Sequence, residues 1–169
     1  PEQQTFAFSE PQPATLMVAP VLWGSGSPIL AYNAYLWLSL LLNGLVTLWL
    51  LKSLGHRTWL AGLGAIAMLL LPLVHDQIEV LQLIPLWGVL WSWEAARRLG
   101  DAPTPARGAA AGLALAMTFA MSLHHGLFAV ILAAGPVLVL VRDWRKPRLY
   151  ASGAVGIGVA ALLILPLIL

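Results

Sequence analysis

The chain has 169 residues, of which 60% are hydrophobic and only 9% charged; a water-soluble domain carries about a quarter charged residues, so a soluble globular fold is excluded. The sequence pI near 9.4 does not point to nucleic acid, because the nine lysines and arginines sit in short clusters between apolar runs rather than along one face. There is no cysteine, which removes disulfides, thiolate metal sites and cysteine nucleophiles.

These bounds predict an all-α, polytopic transmembrane helix bundle surrounded by the lipid bilayer. Crossing a hydrocarbon layer takes about 20 helical residues, and the apolar runs predict about six spans after an N-terminal outer loop. Residues 1–28, rich in Pro, Gln, Ser and Gly, read as an extracytoplasmic loop with one short interfacial turn. The helical region is then 29–169. Its first span, near 29–51, is interrupted only by Asn33 and Asn43 and ends at Lys52. The second, near 59–74, is rich in Gly and Ala, which let backbones approach closely in lipid and predict a position inside the bundle. It ends at Pro72 and the polar group His75-Asp76-Gln77, and a third span follows near 78–93. Residues 94–107 form a polar loop in which Pro103 and Pro105 oppose helix.

From Gly108 to Val141 the only ionisable residues are His124 and His125. One helix of that length would be about 50 Å long, too much for a bilayer. The stretch therefore predicts a hairpin of two spans, near 108–123 and 126–141, turning at the histidines. A last span occupies 149–169. The chain opens on Pro1 and stops inside an apolar run, so it is expected to be an internal fragment of a longer protein.

If spans alternate in direction, loops 52–58, 94–107 and 142–148 share one side and hold all nine cationic residues. Basic loops resist translocation, which makes that side cytoplasmic and suits a bacterial inner (plasma) membrane. The opposite side then carries Glu2, Glu10, His75, Asp76, Glu79, His124 and His125. Ionisable groups near membrane depth mark functional sites unless they are solvated helix caps. His75 and Glu79 are four residues apart, on one face of a helix, a spacing suited to general acid–base work or a divalent metal ion. Adjacent histidines on a helix point in different directions, so one of His124 and His125 faces a cavity and the other the headgroups. The substrate-cavity candidates are therefore His75, Asp76, Glu79, His124 and His125, with a polar turn as the alternative for each. Trp87, Trp91 and Trp93 read as an interfacial aromatic belt. Gly153, Gly156 and Gly158 give the last span a small-residue face without strict dimer spacing.

Three segments carry a family resemblance. FSEPQPATLMVAPVLWGSGSPILAYN looks like an outer loop leading to a span through Tyr32-Asn33. LPLVHDQIEVLQLIPLWGVLWSWEAARR has a proline-bearing helix end (Pro72), a polar turn with His75, then Gln82, Pro85 and the basic pair Arg97-Arg98. SLHHGLF resembles a short turn between helices. In this order they resemble the bacterial multi-pass glycosyltransferases of the C-type superfamily and their uncharacterised relatives. That resemblance implies sugar transfer from a polyprenyl-phosphate carrier at the non-cytoplasmic face. Such enzymes carry an acidic motif in an outer loop after a first span; neither Glu2 nor Glu10 lies in an Asp-x-Asp pattern, and no catalytic residue is carried over. The alternatives are a transporter or channel subunit, or a non-catalytic structural membrane protein.

Overall fold

The computed structural model describes residues 13–72, 80–141, 144–145 and 147–168. Among these the regular structure is entirely helical. A 3-10 segment, Pro13–Val18, leads into α1 (Ala19–Ser25), α2 (Pro28–Ser53) and α3 (Thr58–Leu69). A 3-10 turn, Leu81–Leu83, precedes α4 (Trp87–Asp101), α5 (Pro105–Met121), α6 (Leu123–Leu140) and α7 (Pro147–Ile168). Helix starts follow local chemistry. Ser27, Thr104 and Ser122 accept hydrogen bonds from the backbone N–H groups of Leu30, Arg107 and His125, and Pro28 and Pro105 occupy first-turn positions where no N–H is needed.

Three helices are long and apolar enough to cross a membrane: α2, α6 and Pro147–Pro166 of α7. This is an integral membrane protein. Between them α3, α4 and α5 have 12, 15 and 17 residues, so among the described residues three helices meet the length and composition of a full crossing, and the expected count of about six is not confirmed.

Several expected boundaries move. The polar loop after the third span is only Ala102–Thr104, because α4 continues through Arg97 and Arg98 to Asp101. At its other end α4 begins at Trp87 rather than near residue 78, since Pro85 lacks the N–H a continuing helix requires. The hairpin turns at Ser122, whose φ of −162° and ψ of 130° are extended, and both histidines fall in the first turn of α6. Serine has the side-chain acceptor a helix start uses. His125 supplies instead the backbone N–H that Ser122 caps.

The start of α4 lies deep in the molecule. Asn43 is fully buried ten residues before the end of α2, about 15 Å along a helix roughly 39 Å long. Its Nδ2 donates to the Ile84 carbonyl at 2.8 Å, and its Oδ1 accepts from the Trp87 N–H at 2.8 Å. One carboxamide thus pairs both backbone groups exposed by the break around buried Pro85, which hydrocarbon could not satisfy. From there α4 runs parallel to α2 and antiparallel to α5. Thr118 donates to the Ala114 carbonyl at 2.8 Å, so the 3.0 Å contact between Ser92 and Thr118 is a bond that Ser92 donates. Trp87 is buried with Ala14, Ala120 and Met121, stacked at 6.2 Å on Trp91. Trp87 is therefore a core residue and not part of an interfacial belt.

The tightest helix pair joins α5 and α7. A Cβ on Gly108 would collide with the Ser152 backbone, and one on Gly112 with the Gly156 backbone. Spacings of four on both helices, Gly108/Gly112 and Ser152/Gly156, therefore bring the backbones together. The Gly- and Ala-rich α3, expected inside the bundle, buries only Ala61 and packs along α2 while Leu60, Leu63 and Ile66 stay exposed.

These contacts also sort the helix ends. Arg98 lies 4.8 Å over the Trp49 ring, which ties the end of α4 to the end of α2. Gly100 abuts Pro136 and Val137 near the end of α6, and Gly108 meets Ser152 at the starts of α5 and α7. Lys52, Arg57, Arg97, Arg98, Arg107, Arg145 and Arg148 thus share one end, called the basic end below.

Two outcomes follow from this packing. Replacing Gly112 by Leu should destabilise the folded protein by about 1–3 kcal/mol through overpacking, whereas Gly62→Ala, where no neighbour lies within 4 Å of an added Cβ, should change it by no more than about 1 kcal/mol in either direction; thermal unfolding in detergent separates them. Asn43→Leu should cost about 1–3 kcal/mol by leaving the Trp87 N–H unpaired while the Ile84 carbonyl keeps the Leu86 N–H, and hydrogen exchange should show faster opening at Trp87. Wild-type protection there would rule out the bridging role.

Candidate functional site

Of the residues predicted to line an outer cavity, His75, Asp76 and Glu79 lie outside the described residues, as do Glu2 and Glu10. His124 and His125 open α6 at the end opposite the cationic groups. The cap at Ser122 sets the phase of the first turn, and a step of about 100° per residue separates the two rings. His124 is exposed, whereas His125 is 8% exposed and its Nδ1 has no hydrogen-bond partner among the described residues. Buried polar nitrogens are usually paired, so this imidazole holds unused capacity to accept or donate one proton. Gly126 beside it makes room for Phe119, whose ring an added Cβ would strike.

A pocket of about 210 Å³ lies at the same end, between the N-terminal segment, α1, the first turns of α2 and Leu81. Its wall includes Thr15, Val18, Ala31, Tyr32 and Tyr35. The N-terminal segment is thus not a detached loop: Ala14 and Val18 are buried against the helices. Tyr35 is 2% exposed, and its hydroxyl has Ser39 as a neighbour without a hydrogen bond of good geometry. The histidine pair does not line this pocket, so the structure brings together the N-terminal segment and the approach to α4 but not the second polar turn. Among the described residues no three His, Asp or Glu side chains gather as a metal site.

The basic end is built differently. Glu94 is fully buried; it accepts from Arg97 Nε at 2.6 Å, Arg97 Nη2 at 2.9 Å and Arg98 Nε at 2.6 Å. Arg107 Nη1 donates to the carbonyls of Arg98 at 2.8 Å and Ala102 at 3.0 Å, which closes the turn into α5. Burial opposes ionisation of Glu94, but the hydrogen bonds from Arg97 and Arg98 outweigh it and hold the carboxyl below the usual carboxylate range. Residues expected as a solvated loop are instead a paired knot joining α2, α4 and α5. The signal was present in the sequence as Glu94 three and four residues before two arginines, the spacing at which helix side chains meet. Its saturated pairing makes it a structural lock rather than a reaction centre.

No protein-family model, characterised protein or solved structure matches this chain.

Because the Glu94 carboxyl is lowered, its ionised form stabilises the folded state fully above the ordinary value of 4.5, and that contribution disappears as pH falls through the lower folded value. Unfolding measured between pH 7 and pH 3 should therefore show stability dropping below about 4.5. Glu94→Gln should start less stable and lose this part of the acid slope; an unchanged slope would show that another group causes it.

Proposed function

We propose that the chain is the membrane-embedded helical part of a glycosyltransferase-like protein that takes a sugar from a polyprenyl-phosphate carrier at the non-cytoplasmic face. The observation that carries this reading is the buried His125 imidazole, whose Nδ1 has no partner among the described residues, at the end opposite the basic groups. The positive-inside rule assigns the basic end to the cytoplasm of a bacterial inner membrane, with six elements alternating in direction, and puts His125 on the side where lipid-linked sugars are used. A buried neutral imidazole can take a proton from an acceptor hydroxyl or donate one to a leaving phosphate. An apolar cavity of about 400 Å³ among α4, α5, α6 and α7, lined by Ala96, Leu115, Ala133 and Ile157, offers room for an isoprenoid chain. His75, Asp76 and Glu79 are proposed as further contacts in the same outer region, where a divalent ion could assist the leaving phosphate.

A transporter is the second reading, favoured by the irregular backbone around Ile84 and Pro85 at the depth of Asn43, since broken helices near mid-membrane bind substrates in such proteins. Against it, the Ile84 carbonyl and Trp87 N–H are already engaged by Asn43.

The test is sugar transfer from a radiolabelled polyprenyl-phosphate sugar by the complete protein. His125→Ala should lower the rate by about a hundredfold or more if the imidazole moves a proton, and the double variant His75→Ala/Asp76→Ala should weaken donor binding. Wild-type transfer in all of these would sink the assignment.

A further inference from the structure

A second groove runs along the lipid-facing side of α4 and α6, with a volume of about 530 Å³. Trp93 and Arg97 form one wall; Ile131, Leu132, Gly135 and Val139 form the other. Ile131, Leu132 and Val139 are 69%, 50% and 80% exposed, so the wall along most of its length is aliphatic surface. A bare stretch of apolar helix at membrane depth is ordinary. This one carries a guanidinium in its wall.

Arg97 gives its Nε and Nη2 to Glu94, and its side chain is still 23% exposed in the groove wall. The charge around it is not balanced. Among the described residues this end holds seven cations against Glu94 and Asp101, a surplus of five positive charges (7 − 2). In sequence, four cations, Arg142, Arg145, Lys146 and Arg148, follow directly after the wall helix α6. An apolar slot one helix wide, with an arginine in its wall and an excess of positive charge at its membrane-surface end, complements an amphiphile with an aliphatic tail and an anionic head. Basic pockets between membrane helices bind phospholipid head groups on this principle.

We propose that the α4/α6 groove holds an anionic glycerophospholipid from the leaflet at the basic end, with the phosphate beside Arg97 and one acyl chain running from Gly135 towards Ile131. The bound lipid covers the face of α6 that the protein leaves bare and neutralises part of the charge surplus. Trp93 sits at the level of the glycerol region, where an indole is favourable. This assignment stands apart from the sugar-transfer reading, because the groove opens at the end of the molecule opposite His125.

The full chain, reconstituted in mixed phosphatidylglycerol and phosphatidylcholine nanodiscs, can be released into native mass spectrometry and its retained lipid identified. Phosphatidylglycerol should be retained over phosphatidylcholine by about tenfold. Gly135→Leu projects into the groove from a position where nothing lies within 4 Å of an added Cβ, and should abolish retention with unchanged helical circular dichroism. Val139→Trp, from its exposed position, should do the same independently. Arg97→Gln should remove the preference for the anionic head while tail binding persists. Equal retention of the two lipids by the wild type, or undiminished retention in both groove-filling variants, would overturn the proposal.

Discussion

The carboxamide of Asn43 is the interaction on which the rest of the bundle is hung. A chain that starts a helix in the middle of a hydrocarbon layer exposes backbone groups that have no water to turn to, and each would cost several kcal/mol if left bare. Asn43 answers with one donor and one acceptor at 2.8 Å each, to the Ile84 carbonyl and the Trp87 N–H. With α4 begun there, Gly88 falls against Thr118 and Met121, Ser92 reaches Thr118, and Glu94 reaches the two arginines. The helix touches α2, α5 and α6 along its length because its first residue is held at that depth.

The two ends of the molecule then serve opposite purposes. At the basic end polar groups are saturated: Glu94 accepts three hydrogen bonds from arginines, Arg98 rests on Trp49, and Arg107 closes two carbonyls. A buried carboxylate tolerates its desolvation only with such compensation, and the arrangement fixes geometry more than it stabilises. At the other end the chain buries a phenol and an imidazole whose hydrogen bonds are not completed among the described residues. Proteins seldom leave such groups unpaired, and the contrast within one small bundle is what draws attention to Tyr35 and His125.

Close packing supplies the remaining cohesion. Lipid tails are as apolar as leucine, so helices associate through contact and hydrogen bonding rather than through exclusion from water. Gly108 and Gly112 facing Ser152 and Gly156 provide that contact between α5 and α7. The equally small residues of α3 find no comparable partner, and its Leu60, Leu63 and Ile66 face outward. Small size is a condition for close approach and not its cause.

Composition and hydropathy by themselves determined that the chain is helical and lies in a membrane, because its long continuous apolar runs suit membrane helices and not the short alternating strands of a barrel. Cation clustering anticipated which helix ends meet, since alternating elements can bring Lys52, Arg97, Arg107 and Arg148 together only at one end. Local rules also held information that went unused: Glu94 ahead of Arg97-Arg98, and Gly108 four residues before Gly112, are both readable from spacing. Tertiary structure alone decided that Asn43 pairs with backbone 41 and 44 residues away, that Trp87 is core, that His125 turns inward while His124 does not, and that Gly62 meets nothing. The reason is that periodicity describes a helix relative to its own axis, whereas burial depends on which neighbour the chain folds against that axis, and in an almost uniformly apolar sequence no hydrophobic stripe marks that side in advance.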